Sequence, residues 1–166
     1  MRWLKPPMIN ADMNKKIYTD NKDRIHTDNI GGNPPKIREN LLYGELTYMI
    51  RKAIFNVYNI LGSGHKEQVY QKALTKELDD LEIPYKREVA LDVKYKGESV
   101  GNYRPDFVIN DEVILELKAV EFMPKSYETQ LIHYLKTTGF QLGLLVNFGA
   151  TKLYIKRIIW TGGNHS

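Results

Sequence analysis

Tyr103-Arg104-Pro105-Asp106-Phe107-Val108-Ile109-Asn110-Asp111-Glu112-Val113-Ile114-Leu115-Glu116-Leu117-Lys118-Ala119 is the stretch around which the rest of the chain can be arranged. Phe107-Val108-Ile109 and Val113-Ile114-Leu115 read as two short strands, and the polar Asn110-Asp111-Glu112 between them as a hairpin loop. Side chains alternate faces along a strand, so Glu116 and Lys118 point the same way as Ile114. A three-residue loop pairs Ile109 with Val113. Counting outward then sets Asp106 opposite Glu116, and opposed residues share a face with Cβ atoms about 4.5–5.5 Å apart. A two-residue loop would set Asp106 against Leu115 instead, so the meeting of the two acids depends on the loop.

Two carboxylates facing each other on adjacent strands repel. Lys118 relieves part of that repulsion. A hard divalent cation relieves more, and oxygen ligands suit Mg²⁺ or Mn²⁺. Mg²⁺ commonly takes one or two carboxylates and leaves positions for substrate phosphate, which next to a lysine makes a hydrolytic site for phosphodiesters. The alternative is an edge hairpin whose Asp106, Glu116 and Lys118 form a surface ion cluster. The setting favours the first reading. Glu116 and Lys118 interrupt an apolar run that otherwise looks buried, where charges are rarely left without a partner or a metal.

Pro105-Asp106 followed by Glu116-Leu117-Lys118 resembles the signature of the PD-(D/E)XK nuclease superfamily. Gly64-His65-Lys66-Glu67-Gln68-Val69-Tyr70 matches the motif that names the GxxExxY protein family, a branch of that superfamily. Gln130 and Tyr134 follow downstream in the expected order, and the likeness runs from about Leu41 to Ile158. The resemblance implies an α/β fold with a restriction-endonuclease-like core, a central mixed β-sheet flanked by helices. It implies a metal-dependent nuclease hydrolysing phosphodiester bonds, acting on DNA rather than RNA. Asp106 and Glu116 would bind Mg²⁺ (or Mn²⁺), with the backbone carbonyl of Leu117 as a third ligand and Glu67 as a further acidic ligand or water-orienting group. Lys118 would orient or activate the attacking water and help neutralise the phosphate. The superfamily also contains inactive members, so a nucleic-acid-binding or protein-interaction module without turnover is the alternative.

The 166 residues are expected to form one domain over residues 41–160, preceded by a disordered or loosely attached tail over 1–40. That tail is rich in Asn, Asp and Lys and poor in apolar periodicity, although Trp3 or Tyr18 could dock onto the domain. There is no cysteine, which excludes disulfides, thiolate zinc sites and cysteine nucleophiles. No apolar run is long enough for a membrane span and no leader pattern is present, so the cytoplasm is the expected compartment and a membrane is not an expected partner. Residues 1–40 carry a net charge of +3 and residues 41–166 only +1. Grip on nucleic acid must then come from a local basic surface, a metal or the tail, which leaves a protein partner or a homo-oligomer open.

Along the domain, Leu46, Met49, Ile50, Ala53, Ile54, Val57, Ile60 and Leu61 recur at helical spacing, and Gly62-Ser63-Gly64 ends that helix. A second helix is expected over about Lys66–Leu81, with Glu67 and Tyr70 on one face. Taken from the residues alone, Glu67 serves the helix N-terminus. By the resemblance it faces the metal, and Tyr70 shapes the site wall through its hydroxyl. Val89 to Tyr95 alternate as a half-buried strand that turns at Lys96-Gly97-Glu98, and the chain then meanders into the site hairpin. Arg104 is either a phosphate contact or a solvated edge charge. Pro105 cannot donate to a ladder and belongs at an edge or bulge. Ser126 is expected to cap a helix running to Thr138. Gln130 and Tyr134 lie at i and i+4 on it, either as a solvated flank or, by the resemblance, beside the substrate. Leu142–Phe148 reads as a strand buried on both faces, and Leu153–Ile158 as a last edge strand whose Lys156 and Arg157 are backbone-contact candidates or solvated charges.

Overall fold

The computed structural model describes residues 17–20 and 41–162. Eight strands and three helices follow in the order β1 (Ile17–Asp20), α1 (Gly44–Leu61), α2 (Glu67–Asp80), β2 (Tyr85–Arg87), β3 (Leu91–Tyr95), β4 (Glu98–Tyr103), β5 (Phe107–Ile109), β6 (Val113–Lys118), α3 (Lys125–Thr138), β7 (Leu142–Asn147) and β8 (Tyr154–Trp160) among the described residues. The main sheet has the order β1-β8-β7-β6-β5-β2, and β3 pairs with β4 in a separate two-stranded ribbon. β6 and β7 run parallel while the other pairs are antiparallel, so the sheet is mixed as expected. The β1 strand lies inside the segment read as a tail, with Tyr18 opposite Ile159. Trp3 lies outside the described residues.

Alternation along β6 and β7 divides the core in two. Val113, Leu115, Leu117, Leu142, Leu144 and Val146 face α1 and α2, packing on Ile50, Ile54, Tyr70 and Leu74. Ile114 and Leu145 face the other way, onto Leu131 and Leu135 of α3 and Tyr103 of β4. Every residue of β7 is buried, as a run apolar on both faces demands. Among the described residues no helix is long and apolar enough to cross a membrane.

Several boundaries depart from expectation for identifiable reasons. The strand expected over Val89–Tyr95 begins only at Leu91, as β3, and a separate short strand, β2, precedes it: β2 pairs with β5, and β3 with β4. The break falls at Glu88, whose φ of 49° cannot continue a strand. The expected meander is likewise cut between β4 and β5, where Pro105 has no N–H to offer. Helix α3 begins at Lys125 and its N-cap is Pro124, at φ −63° and ψ 139°, so Ser126 lies in the first turn and caps nothing. A proline loses no helical bond at that end, because the first N–H groups of a helix have no partner within it. β8 is not a free edge, since β1 covers it. Its Lys156 is buried in an ion pair with Glu128 at 2.6 Å, and Arg157 is buried and donates to the Leu42 carbonyl, so neither is a solvated charge.

The exit from β6 is clamped by β7. Asn147, buried, accepts from Val120 N–H at 3.0 Å and donates to the Val120 carbonyl at 2.8 Å. Phe148 N–H donates to the Lys118 carbonyl at 2.8 Å. Gly149 lets the two segments touch, because a Cβ there would sit 2.3 Å from Val120 N and 2.4 Å from the Ala119 carbonyl carbon. Both obstructing atoms are backbone and cannot swing aside. Gly149→Ala is therefore expected to cost about 1–3 kcal/mol, the usual range for overpacking, read as a lowered denaturation midpoint in urea.

Candidate active site

The hairpin loop decides where the acids stand. Asn110 and Asp111 both take left-handed backbone, at φ 52° and 54°, a conformation these two side chains tolerate better than most. Glu112 N–H donates to the Ile109 carbonyl at 3.0 Å and closes the turn. Three residues therefore separate the strands, and the ladder runs Ile109 to Val113, Val108 to Ile114 and Phe107 to Leu115. Asp106 lies one residue before the start of β5, while the opposing β6 continues through Glu116, Leu117 and Lys118.

Asp106 is fixed through both carboxylate oxygens. Oδ2 accepts from Leu117 N–H at 2.7 Å, and Oδ1 accepts from the Gln71 amide at 2.9 Å. A strand residue's N–H and C=O leave by the same edge, so the Leu117 carbonyl also opens on the side that Asp106 occupies. Glu116 is largely buried. One oxygen accepts from the Tyr103 hydroxyl, and the other lies 3.3 Å from the Lys118 ammonium. That ammonium also sits over the Tyr127 ring, 5.3 Å from its centroid.

The charges are coupled and partly dry. Burial pushes the Asp106 carboxyl up, against the Leu117 N–H and Lys118. Burial and then the charge of Asp106 push Glu116 up, despite the Tyr103 hydrogen bond and Lys118. Glu67, at the start of α2, is raised by burial, with Lys118 pulling it down and Asp106 pushing it up. Burial works to lower the Lys118 ammonium, but Glu116, Glu67 and Asp106 together outweigh it and hold it above its ordinary value. Three acids and one cation thus share a single field.

Gln71 was not singled out by any motif. It is 8% exposed, and its amide reaches Asp106 and, at 3.5 Å, Glu67, while its carbonyl oxygen accepts from Arg87 at 3.4 Å. The one sequence signal for it was its place four residues after Glu67 on the same helix face. Tyr103, three residues before Asp106, also carried no assigned role. Tyr70 is placed elsewhere. Its ring stacks on Phe148 at 4.3 Å, and its hydroxyl donates to the Gly62 carbonyl at 2.8 Å and accepts from His65 N–H, bracing the α1–α2 turn. Arg104 is exposed between β4 and Asp106. Gln130 is exposed and donates to the Tyr134 hydroxyl at 3.1 Å, and the Tyr134 ring stacks on Tyr103.

Among the described residues, no three His, Cys, Asp or Glu side chains gather into a metal-holding group. The donor set nonetheless suits a hard cation. Mg²⁺ commonly takes one or two carboxylates, and Asp106 and Glu116 are two that burial and, at Glu116, mutual repulsion leave under-compensated. Neither the curated proteins nor the solved structures gave a match to the chain. A sequence model described as the PD-(D/E)XK nuclease superfamily matches residues 44–158, more than half of the chain and the span that holds α1 through most of β8. With Pro105-Asp106 leading into β5 and Glu116-Leu117-Lys118 ending the adjacent β6 of its mixed sheet, the chain belongs to the PD-(D/E)XK nuclease superfamily.

Proposed function

We propose that this protein is a divalent-metal-dependent nuclease that hydrolyses phosphodiester bonds, with DNA as its substrate, and that it falls in the GxxExxY branch of its superfamily. The observation that carries the reading is the pair Asp106 and Glu116. Both are desolvated, both are held by dedicated donors, and both share one lysine. Asp106, Glu116 and the Leu117 carbonyl would hold Mg²⁺ or Mn²⁺, with Glu67 assisting from α2. When bound, such a cation supplies Lewis-acid polarisation of the phosphoryl group and an activated water.

The chain's own residues supply the rest. Gln71 and the Leu117 N–H fix the direction of the Asp106 carboxylate. In the metal-free site Glu116, Glu67 and Asp106 outweigh burial and favour the charged form of Lys118. It therefore acts as a hydrogen-bond donor and positive charge toward the phosphate and the attacking oxygen. That stabilises charge developing on the phosphoryl group, where a fixed donor acts most strongly. Arg104, exposed next to Asp106, would meet a neighbouring backbone phosphate.

The test is cleavage of labelled single-stranded, duplex and branched DNA, and of RNA, with Mg²⁺ or Mn²⁺. Cleavage of DNA that stops on adding chelator and returns with excess Mn²⁺ is the expected result. Cleavage of none of these with either cation would overturn the reading, and equal cleavage in chelator would remove its metal dependence.

A further inference from the structure

Tyr103 joins three elements at one carboxylate. It is 7% exposed at the end of β4, and its hydroxyl donates to Glu116 on β6. Its ring lies against that of Tyr134 on α3, with centroids 3.4 Å apart and planes 8° from parallel. Gln130, one turn earlier on α3, donates to the Tyr134 hydroxyl at 3.1 Å. A glutamate's last torsion is soft, so an exposed one samples many carboxylate directions. Lys118 holds one oxygen of Glu116, but through a long, flexible stem. The phenol that holds the other oxygen has two torsions and is clamped by a stacked ring, so it is the more rigid of the two holds.

We propose that Tyr103 is the positioning residue for Glu116, and that Tyr134 acts on the site through its ring, by fixing Tyr103, rather than by touching the substrate. The inference rests on Glu116 being a ligand of the cation. It makes a specific claim about the downstream motif: its effect arrives through the Tyr134 ring stacked on Tyr103 and the Tyr103 hydroxyl on Glu116.

Mn²⁺ binding to the full chain, followed by calorimetry without any nucleic acid, tests it. Tyr103→Phe keeps the ring and the stack and removes only the hydroxyl. Its Mn²⁺ affinity is expected to fall about 10–100-fold, as when a ligating group loses its orienting partner. Tyr134→Phe keeps the stack and should bind as wild type, whereas Tyr134→Ala should weaken binding as Tyr103→Phe does. Wild-type affinity in Tyr103→Phe overturns the inference and leaves the two-carboxylate seat standing. Absence of Mn²⁺ binding by the wild type itself overturns the seat, and the inference with it.

Discussion

Lys118→Ala is expected to lose about 10²–10³-fold in cleavage rate at saturating substrate, the usual cost of removing one preorganised donor from developing oxyanion charge, while still taking up Mn²⁺. The two parts separate because the ammonium is not a ligand. It lies 3.3 Å from Glu116, and both side chains are largely buried, at 18% and 14% exposure. In so dry a setting its field is far stronger than in water. Removing it withdraws compensation from Glu116, Glu67 and Asp106 at once. The metal-free variant should therefore melt lower than wild type, and Mn²⁺ should restore more of its stability than it adds to wild type, since bound cation now supplies the missing charge. Lys118→Arg keeps the charge but carries a planar fork on a longer reach, so it should recover only part of the rate. Single-turnover cleavage together with melting curves, each with and without Mn²⁺, checks all of this. Full cleavage by Lys118→Ala would move the chemistry away from the hairpin.

What the sequence disclosed about this site depended on range. The register of β5 and β6 was legible because it needed only a loop length, and Asn110-Asp111 are residues that accept the two left-handed positions such a turn requires. β7 was legible because an unbroken apolar run has few other places to go. The partners of the acids were not legible. Gln71 lies 35 residues from Asp106, and its role appears only once α2 is packed on the sheet. Tyr103 and Tyr134 come together where the separate β3–β4 ribbon packs on α3, and no periodicity announced that ribbon's detachment at Glu88. Tyr70 shows the converse. The resemblance set it on the site wall, but its depth sends its hydroxyl to the α1–α2 turn, and a helix face wide enough to hold both Glu67 and Tyr70 serves two environments. The burial of Lys156 was hidden for a related reason, because the Glu128 that pairs with it lies 28 residues away on α3 and meets it only once that helix is packed on the sheet.

Glu116→Gln is expected to move stability and function in opposite directions. Burial and the charge of Asp106 hold the Glu116 carboxyl above its ordinary value of 4.5, and this is the balance left after Tyr103 and Lys118 have pulled it down. The folded protein therefore binds that proton more tightly than the unfolded chain does. Stability from such a group is fully present below its unfolded value and is lost as pH rises through the folded one. Asp106 and Glu67, raised from 3.8 and 4.5, act in the same direction. Metal-free wild type should accordingly lose stability as pH climbs from about 4 through the raised folded-state values. Glutamine keeps an oxygen for the Tyr103 hydroxyl and carries no charge to desolvate. Lys118 loses its nearest anion, but Glu67 and Asp106 still face it. Because the upward shift of Glu116 is already net of Lys118, neutralising it should stabilise the fold. At pH 7 in chelator, Glu116→Gln should melt above wild type and respond less to pH. With Mn²⁺ the order should reverse: wild type gains stability and the variant does not, since one of the two carboxylates proposed to hold the cation is gone. Cleavage should fall by at least about 100-fold, because losing a ligand costs more than losing the group that orients one. A stabilised, inactive variant is the pattern of a site built for function at the expense of the fold. A lower melting temperature in chelator, or an Mn²⁺ response that survives, would make Glu116 a structural partner of Lys118 and not a ligand.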